Sequence, residues 1–345
     1  MRNLVVIVVL SLGLSGSFFA LGQKIESLRE KYSQSEFRYD NVPGIGHEKG
    51  CTRRDPSDVI KAGETYYVYY TKIYGRAPGY WGTVWYAVSN DEGYTWKEQG
   101  EILGLGKKDM FDSQATFTPN ILYANGRYFL YYTGVKPTPG NEKGEFENNS
   151  TTDITAIGIA VSNSPGGPFV RVSEVPILKV SVEPEKFDSY RVDDAALLYR
   201  DGKFWLYYKG RSRVNGAAGP AHTQMGVAFS KNPEGPFTKY GKPILPQSHE
   251  VTIWQDGTGI AAMASLSSTF EYAPDGIDFL SNKLGVKVEN RPFSPGVFRK
   301  DLTDPTIKGE GLKWGISMAG NGDEFYLIRY CLNSKTSSIN KVPGK

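Results

Sequence analysis

Apolar and aromatic positions in this chain fall into pairs of short runs, each pair joined at a glycine. In the first, Asp55-Pro-Ser-Asp-Val-Ile-Lys-Ala runs into Gly63, and Glu-Thr-Tyr-Tyr-Val-Tyr-Tyr-Thr71 returns. A second pair runs from Thr118 through Gly126 to Thr133, and a third from Asp193 through Gly202 to Lys209. Glycine accepts the positive φ of a tight turn, and aromatic and β-branched residues fit a pleated surface, so each pair predicts a β-hairpin.

Each of these hairpins is followed by another, at Val84 to Trp96, Ile157 to Phe169 and Met225 to Phe237. Two hairpins make a four-stranded sheet. A weaker fourth copy runs from Val251 through Gly257 to Phe279, and a fifth from Leu312 through Gly322 to Tyr330. The turn glycines 63, 126, 202, 257 and 322 stand 63, 76, 55 and 65 positions apart, a blade-like period with variable loops. Four-stranded sheets repeated in this way predict an all-β chain, a five-bladed β-propeller with a short N-terminal helical segment. A β-sandwich does not account for the second hairpin that trails each of the first three.

Ahead of the repeat, one Arg precedes an apolar run from Leu4 to about Leu14, followed by small residues and Gln23. That run is shorter than the ~20 residues of a spanning helix, and it reads as a secretory signal peptide over residues 1–23. Residues 24–45 then form an N-terminal extension with a short helix, and 46–345 form the propeller. The expected location is outside the cytoplasm, in the periplasm or the medium.

Forty basic and thirty-seven acidic residues give a net charge of +3 without a basic block. A nucleic-acid footprint needs clustered base, so nucleic acid is not an expected partner. The two cysteines, Cys51 and Cys331, either join the two ends of the ring in a disulfide, which export permits, or stand apart as thiols, the commoner case. The three histidines, His47, His222 and His249, have no metal-ligand spacing. No cofactor and no metal site are expected, although a divalent cation in a polar central channel remains open.

In a propeller the inner strands face a central channel, so polar residues at their starts converge there. Arg53-Arg54-Asp55-Pro56 opens the first inner strand, Arg191-Val-Asp193-Asp194 the third and Ser248-His249-Glu250 the fourth. Asp55 and Asp193 lie eight and nine residues ahead of their turn glycines. This pattern resembles the five-bladed glycoside hydrolases of families 43 and 62. Glu-Lys-Gly-Cys-Thr-Arg-Arg-Asp-Pro-Ser (48–57), Phe117-Thr-Pro-Asn-Ile-Leu122 and His249-Glu250 more specifically resemble glycoside hydrolase family 117, from about residue 46 onward.

The resemblance implies removal of a terminal 3,6-anhydro-galactose from agar or carrageenan oligosaccharides. It implies Asp55 as general base and Asp193 as the residue that orients the site and raises the acid's pKa. The acid is then Glu250, as in family 43, or His249 supported by Glu250. A flanking carboxylate is expected to raise the His249 pKa enough for it to donate near neutrality. Inversion needs the acid and base about 6.5–9.5 Å apart. Arg53, Arg54, Thr118, Asn120, Asp194, Trp81 and His222 are the expected substrate contacts, with Trp85 and Trp254 as further stacking platforms. Family members swap an N-terminal helix between subunits; it is short here, which leaves a homodimer open. A family 43-like arabinosidase or xylosidase and a non-catalytic glycan-binding propeller are the competing functions.

Overall fold

The computed structural model describes residues 19–74, 82–136, 154–281, 284–307, 309–321 and 324–335. Its strands form the five blades of a β-propeller, all antiparallel within each sheet. Blade one holds Cys51–Arg54 and Ile60–Ala62 on its inner edge, then Thr65–Tyr74, Thr83–Ser89 and Lys97–Leu103. Blade two runs Ala115–Ala124, Arg127–Lys136, Ile154–Ser162 and Val170–Arg171; blade three runs Arg191–Arg200, Lys203–Arg211, Gln224–Ser230 and Thr238–Lys239. Blade four holds Thr252–Asp256, Gly259–Ala264, Thr269–Ala273 and Val286–Lys287.

Blade five departs from the pattern expected of it. Its inner strand is Phe293–Val297, and the hairpin read at Leu312 to Tyr330 joins its second and third strands, Trp314–Asn321 and Glu324–Ser334. A short inner strand carrying Pro295 and Gly296 has no aromatic alternation by which to announce itself. The fourth strand, Ser35–Asn41, comes from the start of the chain and pairs with Glu324–Ser334 from Ser35 opposite Ser334 to Asn41 opposite Ile328. The ring therefore begins upstream of residue 46, inside the stretch read as an extension.

A helix over residues 19–33 precedes that strand. Its Ile25, Leu28 and Tyr32 pack with Trp254, Phe270 and Tyr330, and the Tyr32 hydroxyl donates to Asp256 Oδ2 at 2.6 Å. Trp254 is 1% exposed and donates its Nε1–H to Tyr32, so it is core and not a platform for sugar.

The repeat also shows in the packing. Phe111-Asp112-Ser113 and Phe187-Asp188-Ser189 sit at equivalent places in blades two and three. Tyr132 and Tyr208 donate to Asp112 and Asp188, both at 2.9 Å, and Arg171 and Lys239 each pair with the same carboxylate at 2.6 Å. Glycine is required above each Phe: a Cβ on Gly134 or Gly210 would come within 2.6 or 2.5 Å of the ring.

Both cysteines are free. Gly50, next to Cys51, donates its amide to Glu324, which lies seven residues before Cys331 on an extended strand. At roughly 3.3 Å per residue the two sulfurs are too far apart for a disulfide. No helix among the described residues is long and apolar enough to cross a membrane. Trp81, Gly322 and the apolar run of residues 4–14 lie outside the described residues.

Candidate active site

One cavity at the centre of the ring is lined by a dipeptide from every blade: Asp55-Pro56, Thr118-Pro119, Asp194-Ala195, Glu250-Val251 and Ser294-Pro295. Asp58 and Asn120 complete the wall. In four of the five blades the first residue of the dipeptide is left-handed, with φ of 48° at Asp55, 43° at Thr118, 53° at Asp194 and 45° at Ser294. In blades two, three and five the strand register shifts across this point, the mark of a β-bulge. Such backbone costs of order 1–3 kcal/mol per residue and persists where the surroundings impose it. Here it turns a polar side chain from each strand toward the axis.

The bulge decides between Asp193 and Asp194. Asp55, Thr118 and Asp194 each lie eight residues ahead of their turn glycines, and Glu250, just before the unbulged strand Thr252–Asp256, lies seven ahead of Gly257. The Asp194 side chain is 15% exposed and lines the cavity, whereas that of Asp193 is 1% exposed and does not. Asp194 thus occupies the position read for Asp193. Asp193 lies behind it, its Oδ1 3.2 Å from Lys209 Nζ, while Asp194 Oδ2 stands 2.8 Å from the same ammonium. Burial, offset in part by Lys209 and reinforced by the Asp193 and Asp55 carboxylates, pushes Asp194 up to about 7.

Asp55 is held at both oxygens. Arg54 Nε donates to Oδ2 at 2.6 Å, and the Ser294 hydroxyl donates to Oδ1 at 3.2 Å. Ser294 is absent from the sequence-based expectations because the inner strand of blade five, Phe293–Val297, lacks the aromatic alternation of the other blades; its Ser-Pro step, parallel to Asp-Pro and Thr-Pro, is the signal that marks it. Below, buried Asp58 accepts from Arg299, Asn120 and the Val297 amide, and burial raises its pKa. Thr118 and Asn120 line the cavity with their polar groups engaged, Thr118 on the Thr133 hydroxyl and Asn120 on Asp58 and the Ile121 amide.

Glu250 lines the cavity and His249 does not. Glu250 Oε2 is buried with no hydrogen bond; the closest cation, Arg291 Nη1, is 3.8 Å away. His249 directs Nδ1 at the Pro220 carbonyl, 3.2 Å away, and at the Thr223 hydroxyl, 3.3 Å away. The expected rise in its pKa is not found. Burial, and then the Lys209 charge, hold the imidazole below its usual value, outweighing the pull of Glu250.

Other expected contacts fall elsewhere. Arg53 and Arg54 are neighbours on a strand and face opposite ways, so only Arg54 reaches Asp55. Arg53 is buried against Glu48, Glu98 and the Gly46 carbonyl, away from the cavity. His222 is exposed at the end of the 3-10 segment Arg213–His222 and is not part of the cavity wall. Trp85 lies on blade one beneath the Lys72 ammonium, 4.2 Å from its ring centre. Among the described residues no group of three or more His, Cys, Asp or Glu is arranged to hold a metal ion.

Residues 51–195, which carry Asp55, Thr118 and Asp194, match the family model of Glycosyl hydrolases family 43. The chain overlays a family 117 glycoside hydrolase of the marine bacterium Zobellia galactanivorans with a TM-score of 0.74. That alignment covers 88% of this chain and 93% of the other at 24% identity. The chain resembles glycoside hydrolases of families 117 and 43. A thermostable family-43 glycoside hydrolase overlays with a TM-score of 0.52 over 84% of this chain and 92% of that one, at 15% identity. Fructan 1-exohydrolase IIa from Cichorium intybus overlays with a TM-score of 0.56 over 85% of this chain and 57% of that one, at 13% identity. At these identities the likeness speaks for the fold, a propeller of the glycoside hydrolase kind. No curated protein sequence matches the chain.

Proposed function

We propose that this protein is an exo-acting inverting glycoside hydrolase that releases a terminal 3,6-anhydro-galactose, L or D, from agar or carrageenan oligosaccharides. The observation that carries the hydrolase reading is the meeting of Asp55, Asp194 and Glu250 from three blades on one cavity. Asp55, oriented through both oxygens, takes a proton from water as that water attacks the anomeric carbon. Glu250, whose buried Oε2 has no hydrogen bond, gives its proton to the departing glycosidic oxygen. Asp194 lies beside them as the third carboxylate, and His249 is a support, not the acid. The reaction as written needs no cofactor. The substrate follows from the motifs at 48–57, 117–122 and 249–250 and from the family 117 likeness. The apolar run near the start of the chain supports export, and an exo-acting enzyme of this kind meets its oligosaccharides there.

Incubation with neoagarobiose and neocarrabiose tests the reading. Free anhydro-galactose from one of them, with inverted anomeric configuration at early times by NMR, is the expected result. Absence of anhydrosugar from both rejects this substrate class. A family 43-like arabinosidase or xylosidase is the second reading, favoured by the family model match and by Glu250 lining the cavity in place of His249. Release of pentose from arabino- or xylo-oligosaccharides would establish it. Binding without cleavage of any glycan would leave a non-catalytic propeller.

A further inference from the structure

Lys209 stands among the acidic groups of the funnel, and neither the sequence motifs nor the reaction above assigns it a task. It lies on the second strand of blade three, directly opposite Asp193 in the register. The corresponding positions of blades one and two are Thr71 and Thr133, opposite Arg54 and Phe117. Those threonines serve the backbone and the bulge: Thr71 accepts from the Thr118 amide, and Thr133 shares a hydrogen bond with the Thr118 hydroxyl. In blade three alone of these repeats, a full positive charge replaces the hydroxyl.

That charge is enclosed. Lys209 is 9% exposed, with its ammonium 2.8 Å from Asp194 Oδ2 and 3.2 Å from Asp193 Oδ1. It acts as well on His249, next to Glu250 in the fourth blade. Asp55 acts on Asp194 from the first blade. The third strand of blade three, Gln224–Ser230, carries no charged side chain, and Arg213 and His222 of the adjoining 3-10 segment are exposed. Arg191 and Arg211, two residues along the same two strands, are also buried, Arg211 on the Gly216 carbonyl; Lys209 is the cation in direct contact with both Asp193 and Asp194.

We propose that Lys209 is a positioning residue that holds Asp194 against the cavity and sets the pH at which that carboxylate ionises. The proposal rests on the hydrolase reading for its kinetic consequence, but not for its electrostatic one. Asp194 and Lys209 share a contact whether or not a sugar is cleaved. A buried cation at hydrogen-bond distance favours the ionised form of every carboxylate near it, and its removal makes each easier to protonate. Loss of Lys209 therefore moves the ionisation of Asp194 to higher pH, and the part of the activity profile that depends on Asp194 moves with it.

The test compares Lys209→Met, Lys209→Gln and Lys209→Arg with the wild type in two measurements. One is the carboxyl 13C NMR titration of the substrate-free protein, with Asp194→Asn to identify the Asp194 resonance. The other is the pH profile of kcat/KM on the oligosaccharide that the wild type cleaves. The neutral variants are expected to raise the Asp194 midpoint by about one pH unit and to shift the kcat/KM profile in the same direction, and Lys209→Arg to leave both near the wild-type positions. Neutral variants with reduced rates but an unmoved profile and an unmoved Asp194 titration would overturn the proposal and leave Lys209 a simple packing or substrate contact. So would a failure of both neutral variants to fold while Lys209→Arg folds. If the wild type cleaves no glycan, the hydrolase reading falls, and the titration alone still decides whether Lys209 controls Asp194.

Discussion

Ser294 donates its hydroxyl hydrogen to Oδ1 of Asp55 across the seam where the last blade meets the first, 239 residues away in sequence. With Arg54 on Oδ2, this fixes the plane of the carboxylate from two different blades. A single hydrogen bond of this kind is worth about 1 kcal/mol. Ser294→Ala should therefore lower kcat/KM roughly fivefold, while Asp55→Asn should remove at least a factor of about 10². Steady-state kinetics on the cleaved oligosaccharide measures both. Equal losses in the two variants would mean that Ser294 does more than hold Asp55.

The acid is tested by the neighbouring pair His249 and Glu250. Glu250→Gln should cost a factor of about 10²–10⁴ in kcat. His249→Ala should stay within about tenfold of wild type, because its ring is turned to the Pro220 carbonyl and is held below its usual pKa. The opposite ranking would return the acid's role to the histidine.

Asp194 has a cost in stability with a definite sign. Its folded pKa of about 7 lies above the ordinary carboxylate value, so the folded state resists ionisation of this group. That penalty is complete above about pH 7, shrinks as pH falls, and is gone below about pH 4. Asp194→Asn should therefore stabilise the fold most at pH 7 to 8, by an amount on the order of 1–3 kcal/mol seen as a higher unfolding temperature, with little change at pH 4. The same variant should lose activity, and Asp193→Asn, behind the cavity wall, should lose less. Thermal unfolding across pH and initial rates check the two halves.

The helix over residues 19–33 is pinned through Asp256, which accepts from Tyr32 and Lys31, both at 2.6 Å. Tyr32→Phe keeps the ring packing with Phe270 and deprives Asp256 and the Trp254 Nε1–H of a partner. It should cost about 1–3 kcal/mol. Tyr32→Ala should cost about 3–5 kcal/mol. Urea denaturation of the two variants separates the hydrogen bonds from the packing.

Blades one to three were legible in the sequence because Gly63, Gly126 and Gly202 mark turns that only particular backbones make, and the aromatic strand after each repeats almost residue for residue. Blade five was misaligned because its inner strand is five residues long and interrupted by Pro295 and Gly296. Ser294 was lost with it. Which of Asp193 and Asp194 lines the cavity is hidden in the sequence for a different reason. A bulge adds one residue and reverses which side chain faces the axis, and alternation alone does not reveal it. The equal offset of eight residues from the turn glycine carried that information. Lys209 was invisible because its aromatic neighbours, Tyr207 and Tyr208, read only as strand, and a lysine at the end of a strand looks solvated.

The strand Ser35–Asn41, which completes the fifth blade, is made well before its partner, Glu324–Ser334, with the other four blades between them in sequence. Until the final strand has emerged, four blades are built around a gap, and both lips of that gap are unpaired strand edges open to any other extended chain. Loss of the strand Glu324–Ser334 would leave Ser35–Asn41 as an exposed, unpaired edge, turning a truncation into an aggregation fault.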